Sequence, residues 1–531
     1  MIAPSTPTDR SRVTRWPAII LLAAVIALMV IVDAGDDGAT GGVGALERPI
    51  VPTAGKAEAL SSAWYCSAGT IVEDGFADHT VVVANPSATD ASVALTVHPV
   101  LAPQPLTIDL DAEDVAEELE LVAPEAVDLG AVQTSVTVPA LSVQRIRVGD
   151  LEGVGGEHAA VLVESDIGPM VVEHIISGAS GSSLAPCAST SASSWYFAAG
   201  TTRRGAREVI SIFNPFPGDA VVDMTFTADG SARAPQIYEG LVVPSGTVLP
   251  VDITDVVTLF DIVSASLDVR TGRVVADRII ELDGSEGLTG LSVAPGSSTP
   301  ALRWVLPASG PDESIDAIAI TNPADVEAEL DIEVRLDVPE FNGTVEPIGV
   351  AVREGKTVVV VLREGADLVG AASVVDASGR VLDDVGYWAL VRSLNGVEVI
   401  VERFTVSGSE AIATSASPAL PVAATGHRFT SGDGGGSVVV VNPAGDRLVT
   451  VEISTIFDGG RFDVTTVEVG QGARTVVDLD ALGVPADALV SVEASDPVFV
   501  ERRYRLAGAG EATTMSIPVA GTESIPDIPF G

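Results

Sequence analysis

The sequence predicts an all-β protein of about four Ig-like β-sandwich modules in tandem, following an N-terminal transmembrane or signal helix. Two observations predict the modules. Apolar residues make up 47% of the 531 and aromatics only 4%, and this richness in Val, Ile and Ala suits many short strands rather than large aromatic platforms. A β-branched run ending in Asn-Pro occurs four times, in "TVVVANPS" at 80–87, "VISIFNPF" at 209–216, "AIAITNPA" at 317–324 and "VVVVNPA" at 438–444. A third observation predicts the helix. Arg10, Arg12 and Arg15 precede the apolar run "PAIILLAAVIALMVIV" from Pro17 to Val32, and Asp33, Asp36 and Asp37 follow at once.

That opening pattern reads as an export signal, with the basic side retained and the acidic side passed outward. Its sixteen apolar residues fall short of the roughly 20 that span a bilayer, a deficit that Trp16 at the boundary and bilayer thinning can make up. Two outcomes fit: an uncleaved single-pass anchor in the cell membrane, or secretion after cleavage at Ala34. Both place the bulk outside the cytoplasm. Residues 1–34 form the tail and apolar segment, and 35–59 a linker.

The modules are read at 60–187, 188–296, 297–418 and 419–519, with a tail at 520–531. The first two open on "WYCSAGT" at 64–70 and "WYFAAGT" at 195–201; the third has Trp304, and the fourth departs with "HRF" at 427–429. In each, the Asn-Pro step (Asn85-Pro86, Asn214-Pro215, Asn322-Pro323 and Asn442-Pro443) ends a strand, because proline holds the preceding residue extended and removes a ladder donor. The Asn side chain is expected to bond backbone two residues on. A turn and strand follow at 138–148, 243–253, 352–362 and 469–479. Each module then closes on a segment that sets an acid beside a base: Glu173-His174, Asp277-Arg278, Glu402-Arg403 and Glu501-Arg502. Neighbours on a strand point to opposite faces, so these are not ion pairs with each other. Each such segment is read as the second strand of a hairpin with the strand before it. "SLAPCASTSASS", "SVAPGSSTPA" and "SASPALPVAATG" read as loops joining the modules. Segment 370–385 reads as an insertion, and the acidic run 109–120 as a short helix.

The Asn-Pro strand ends, the "VP" turns and the closing "VVEH" or "VER" segments resemble the extracytoplasmic β-repeats of actinobacterial and related bacterial surface proteins. In particular the chain is similar, over roughly 60–520, to an actinobacterial membrane-anchored family of unknown function with "WY…AGT…NP" units. The resemblance implies a fold and no catalytic residue.

Composition narrows function by exclusion. A formal charge of −44 repels nucleic acid and anionic headgroups, so no nucleic-acid partner is expected. Cys66 and Cys187, the only cysteines, bracket the first module and are expected to form a disulfide in an exported chain. In the loop-entropy model so long a closure contributes about 4–5 kcal/mol. Four of the five histidines, His79, His98, His158 and His174, fall in the first module and His427 in the fourth. None has His-x-x-x-His or Glu-x-x-His spacing, so no metal, cofactor or catalytic residue is expected. The sequon Asn342-Gly343-Thr344 means little without a eukaryotic host. A catalytic carboxylate is needed once, beside a matched partner, whereas Glu173, Asp277, Glu402 and Glu501 recur in every module, which points to a structural role accepting backbone N–H or linker hydrogen bonds. The expected protein is non-enzymatic: a membrane-tethered scaffold or interaction array of the cell envelope, whose candidate partners are an envelope glycan or a membrane protein. The alternative is a carbohydrate-binding or adhesion protein, which would need exposed aromatics such as Trp64, Trp195 and Trp304.

Overall fold

Period-2 burial runs along the strands that the β-branched segments predict: in Ala91–Leu101, Ala91, Val93, Leu95 and Val97 point into the core and Ser92 points out. The computed structural model describes residues 51–102, 124–228, 231–309, 315–337, 346–363, 386–407, 413–506, 511–526 and 528. The apolar N-terminal segment, the acidic run 109–120, the insertion at 370–385 and Asn342-Gly343-Thr344 lie outside them. Among the described residues no α-helix occurs, and no helix is long and apolar enough to cross a membrane.

The first module has nine strands: β1 (Ser62–Cys66), β2 (Asp78–Asn85), β3 (Ala91–Leu101), β4 (Val127–Asp128), β5 (Val132–Val138), β6 (Ser142–Arg147), β7 (His158–Ser165), β8 (Val171–Gly178) and β9 (Gly181–Pro186). They form two antiparallel sheets, β1-β7-β3 with β4 and β5 beyond β3, and β6-β2-β8-β9. The faces of the two sheets meet in a core containing Trp64, Val81, Val83, Val93, Leu95 and Val161. The second and third modules repeat this pair of sheets, and the fourth repeats it with one strand shared between them. The protein is thus all-β, built as a series of β-sandwich modules.

The Asn-Pro step is a staple between the sheet edge and the following turn. The Asn85 carboxamide donates to the carbonyls of Thr89, Val138 and Pro139, and its Oδ1 accepts the Ser87 N–H, two residues on, at 2.9 Å. Asn214 donates to Gly218, Val243 and Pro244; Asn322 to Val326 and Val352; Asn442 to Arg447, Val469 and Gly470. Proline ends the ladder there, and the Asn side chain ties the strand end to these carbonyls.

Two expectations are corrected. The acid–base segment and the strand before it do not form a hairpin: β7 lies in one sheet and β8 in the other, because each has an apolar face that must meet the opposite sheet across the core. In the fourth module both are one strand, Leu489–Arg505, which pairs in the first sheet over Leu489–Ala494 and in the second over Phe499–Arg505. The small-residue stretches between modules are also not wholly loops. Gly181–Pro186, Thr289–Pro295 and Ala413–Pro418 are strands paired to the acid–base strands. Their small side chains reflect crowding: these strands and Glu511–Met515 pack side by side in a closed cycle, first on second, second on third, third on fourth and fourth on first.

That cycle makes the tandem modules a ring, and the described residues all fall in one compact unit, Pro49–Gly531. Apolar seams join neighbours: Ala68, Ile176, Ile279 and Leu291 between first and second; Ala198 and Ala199 set into the third module's core; Val305, Trp388, Phe499 and Met515 between third and fourth. Ile175, Leu184, Tyr504 and Leu506 join fourth to first. The closing seam also carries a strap. Ala54 makes a parallel bridge to Val519, donating to the Pro518 carbonyl and accepting from the Ala520 N–H.

Candidate functional site

The acid–base pairs occupy the four seams, so the site that recurs in the sequence is one of assembly. In β8 and its counterparts the acid reaches back to the preceding module, and where the base is an arginine it reaches forward to the acid of the next. Glu402 of the third module accepts the Ala199 N–H at 2.7 Å and the Arg278 guanidinium at 3.0 Å, both from the second. Glu501 of the fourth accepts Ala308 N–H at 2.9 Å and Arg403 at 2.8 Å from the third. Glu173 of the first closes the circle, accepting the Thr430 N–H at 3.0 Å, the Thr430 hydroxyl at 2.5 Å and Arg502 at 2.5 Å from the fourth. Arg403 and Arg502 also donate to the carbonyls of Ala308 and Thr430, the residues whose N–H groups the carboxylates hold.

Every member of these clusters is buried. A buried ion pair barely offsets its desolvation, whereas one partner alone is costly, so the clusters specify which strand meets which more than they add net stability. For Arg403, burial lowers the guanidinium pKa, and the nearby Glu501 and Asp316 outweigh it, so the charge is held firmly. Arg403 Nε lies 3.3 Å from Asp316, whose other oxygen accepts the Tyr387 hydroxyl at 2.6 Å. Glu208, the second-module counterpart of Asp316, accepts the Thr201 N–H at 2.7 Å. Burial pushes its pKa up to about 7, against the pull of Arg278.

The seam between first and second modules differs. Asp277 accepts the Ser67 N–H at 2.9 Å and its hydroxyl at 2.5 Å, but the position that supplies arginine elsewhere is His174. Asp277 is fully buried, its Oδ1 has no hydrogen-bond partner, and burial pushes its carboxyl pKa up to about 6. A second belt of polar contacts runs along the inner strands: the Val293 N–H donates to Ser183 Oγ at 3.0 Å and the Ala416 N–H to Ser292 Oγ at 3.1 Å. At the closing seam the Tyr504 hydroxyl takes this role, accepting the Leu184 N–H at 3.0 Å.

Cys66 and Cys187 form a disulfide, with Cα atoms 4.7 Å apart across a separation of 121 residues. Trp64, Trp195 and Trp304 are 1%, 4% and 1% exposed, and the indole N–H groups of Trp195 and Trp304 donate to the Val274 and Val399 carbonyls. All five histidines are buried, and among the described residues no group of three or more His, Cys, Asp or Glu could hold a metal. A pocket beside the strap, lined by Val51, Pro295, Trp304, Pro418, Pro421 and Met515, has room for about one water. What sequence reasoning missed is the circularity. Its one signal was that the acid and base recur together as neighbours on a strand, which sends one side chain to each flanking module.

A comparison with curated proteins finds no match. A family model described as "Family of unknown function (DUF5719)" matches residues 167–480, from just before β8 to just beyond Arg474–Asp478 of the fourth module, more than half of the chain. With its β-sandwich modules locked by repeated carboxylates, the chain belongs to the DUF5719 family.

Proposed function

We propose that this protein is a non-enzymatic, extracytoplasmic component of the cell envelope: a ring of β-modules tethered to the membrane by residues 17–32 and serving as a scaffold or interaction platform. The actinobacterial, membrane-anchored character belongs to this proposal, and rests on the basic-apolar-acidic order of the first 37 residues. The observation that carries it is the use of the recurring carboxylates. Glu173, Asp277, Glu402 and Glu501 are the ionisable acids repeated at one position in all four modules, and each is buried and held by the neighbouring module's backbone. A carboxylate so enclosed has no path to a substrate. The disulfide supports an oxidising compartment. A ring whose strap joins Ala54 to Val519 is closed on itself, which favours a platform over an extended spacer. The alternative, carbohydrate binding by exposed aromatics, loses its support with Trp64, Trp195 and Trp304 in the core.

The test expresses the full chain, fractionates the cells, and captures partners from native membranes alongside a glycan array. Retention in the membrane after alkaline extraction, with a protease-accessible ring on the outer side, is the expected result. A soluble cytoplasmic protein, or hydrolysis of an envelope polymer at an enzyme-like rate, would refute the reading.

A further inference from the structure

Four histidines scattered over the first module converge on or beneath one seam, the one joining it to the second, and this is the seam without a buried arginine. His98 Nδ1 lies 2.6 Å from the Gly246 carbonyl of the second module, and its ring packs on Phe213 at 5.0 Å. His158 packs on Phe76, whose ring carries the Arg207 guanidinium of the second module at 4.1 Å. His174 stands at the position of Arg278, Arg403 and Arg502, and meets His79 edge-on at 5.5 Å. The His79 ring lies against the Ala159 backbone and the His174 ring against the Ala68 backbone, and among the described residues no side chain hydrogen-bonds to either ring. At the other three seams the same place holds a guanidinium bound to a carboxylate, and arginine as a residue type does not titrate near neutral pH.

We propose that the seam between the first and second modules is an acid-sensitive joint, which opens as its histidines gain protons while the three arginine seams hold. The charged groups facing it are few. Asp128 lies near His98. The second module presents the Arg207–Asp252 pair at 2.9 Å toward His158, Glu281 accepting the Ser180 hydroxyl at 2.9 Å, and Asp277. Arg278 is turned away, onto Glu402. Burial lowers His79 to about 3 and His158 and His174 to about 4, and also lowers His98. The closed seam therefore excludes protons that an open one would accept near pH 6.5. The stability each histidine lends is complete above that pH and fades as pH falls toward the closed-state values. Asp277 acts in the opposite direction, since its raised carboxyl pKa favours the closed seam between about pH 6 and pH 4, but one carboxyl faces four imidazoles.

Hydrogen exchange of the full-length protein at pH 7.5 and 5.0, corrected for intrinsic rates, tests the joint. At pH 5.0 exchange over 66–70 and 275–283 is expected to rise at least roughly tenfold relative to 305–308 and 499–503, which report the seam between third and fourth modules. The double variant His98→Gln, His158→Gln keeps a hydrogen-bonding side chain at both places and should lose a clear part of that rise, the remainder staying with His79 and His174, and His174→Arg, at the place that holds arginine in the other seams, should lose a further part. His427→Gln, in the fourth module, should leave it unchanged. Equal protection of the seam at both pH values, loss of all four seams together, or an unaltered rise in the double variant would each overturn the proposal, whether or not the arginine variant folds.

Discussion

Glu402 shows what a single side chain does in this ring. Removing its carboxylate strands two buried donors at once, the Ala199 N–H and the Arg278 guanidinium, and an uncompensated buried charge costs about 3–5 kcal/mol. Glu402→Ala is therefore expected to lower the unfolding free energy by that much, read from the shifted denaturant midpoint at unchanged slope, while pairing it with Arg278→Met should recover a large part of the loss. Additive losses in the double variant would mean the two groups do not act as a pair. Asp277 poses the opposite case, a carboxylate with no cation. With a raised folded-state pKa of about 6, its ionisation destabilises the folded protein above that pH and leaves it untouched below the unfolded value near 4. Asp277→Asn, which can still accept from Ser67, should raise stability at pH 7.5 by on the order of 2–3 kcal/mol. The gain should shrink from about pH 6 downward and vanish near pH 4; a gain that does not vary with pH would refute the assignment.

At the scale of elements, the Asn-Pro staple explains why the Asn-Pro and "VP" segments occur together. In the second module the Asn214 carboxamide joins the end of Ala206–Asn214 to the carbonyls of Val243 and Pro244. Asn214→Ala leaves buried carbonyls without a donor, at about 1–3 kcal/mol for each group left unmade. The expected result is a lowered melting temperature with faster hydrogen exchange centred on 206–214 and 241–252; an unchanged melting temperature would show that water replaces the side chain. The strands, the module repeat and the bond from each Asn side chain to the backbone two residues on were legible in the sequence because they are local: β-branched runs, proline and periodicity act within a dozen residues. The longer arm of the staple, from Asn85 to Val138 across 53 residues, was not. Sheet membership was not. β7 and β8 read as a hairpin because a short Gly-bearing link joins them, yet their apolar faces require opposite sheets. Ser183, Leu184 and Ala185 read as linker because small residues usually mark loops, whereas here they are small so that four strands can meet. The pairing of Glu402 with Arg278 spans 124 residues, and no local pattern encodes which module an outward-pointing acid will find.

For the whole molecule, closure changes what a module is. Ala198 and Ala199 of the second module belong to the third's core, Val100 and Ala160 of the first to the second's, and Ile456, Leu489 and Ile517 of the fourth to the first's. A module cut from the ring would expose these apolar surfaces and leave its seam charges unpaired, so the four should unfold together rather than one by one. Calorimetry of the intact protein at pH 7.5, where the histidines are neutral, is expected to give one transition whose calorimetric and van't Hoff enthalpies agree. The strap sharpens the test. Ala54→Pro removes the N–H donated to the Pro518 carbonyl, and should lower that single transition as a whole if the ring is one cooperative unit. Should the closing seam instead melt separately, with exchange rising at 430 and 502 while 199 and 402 stay protected, the modules would be independent domains that merely touch, and the buried carboxylates would be local fasteners rather than parts of a closed circuit.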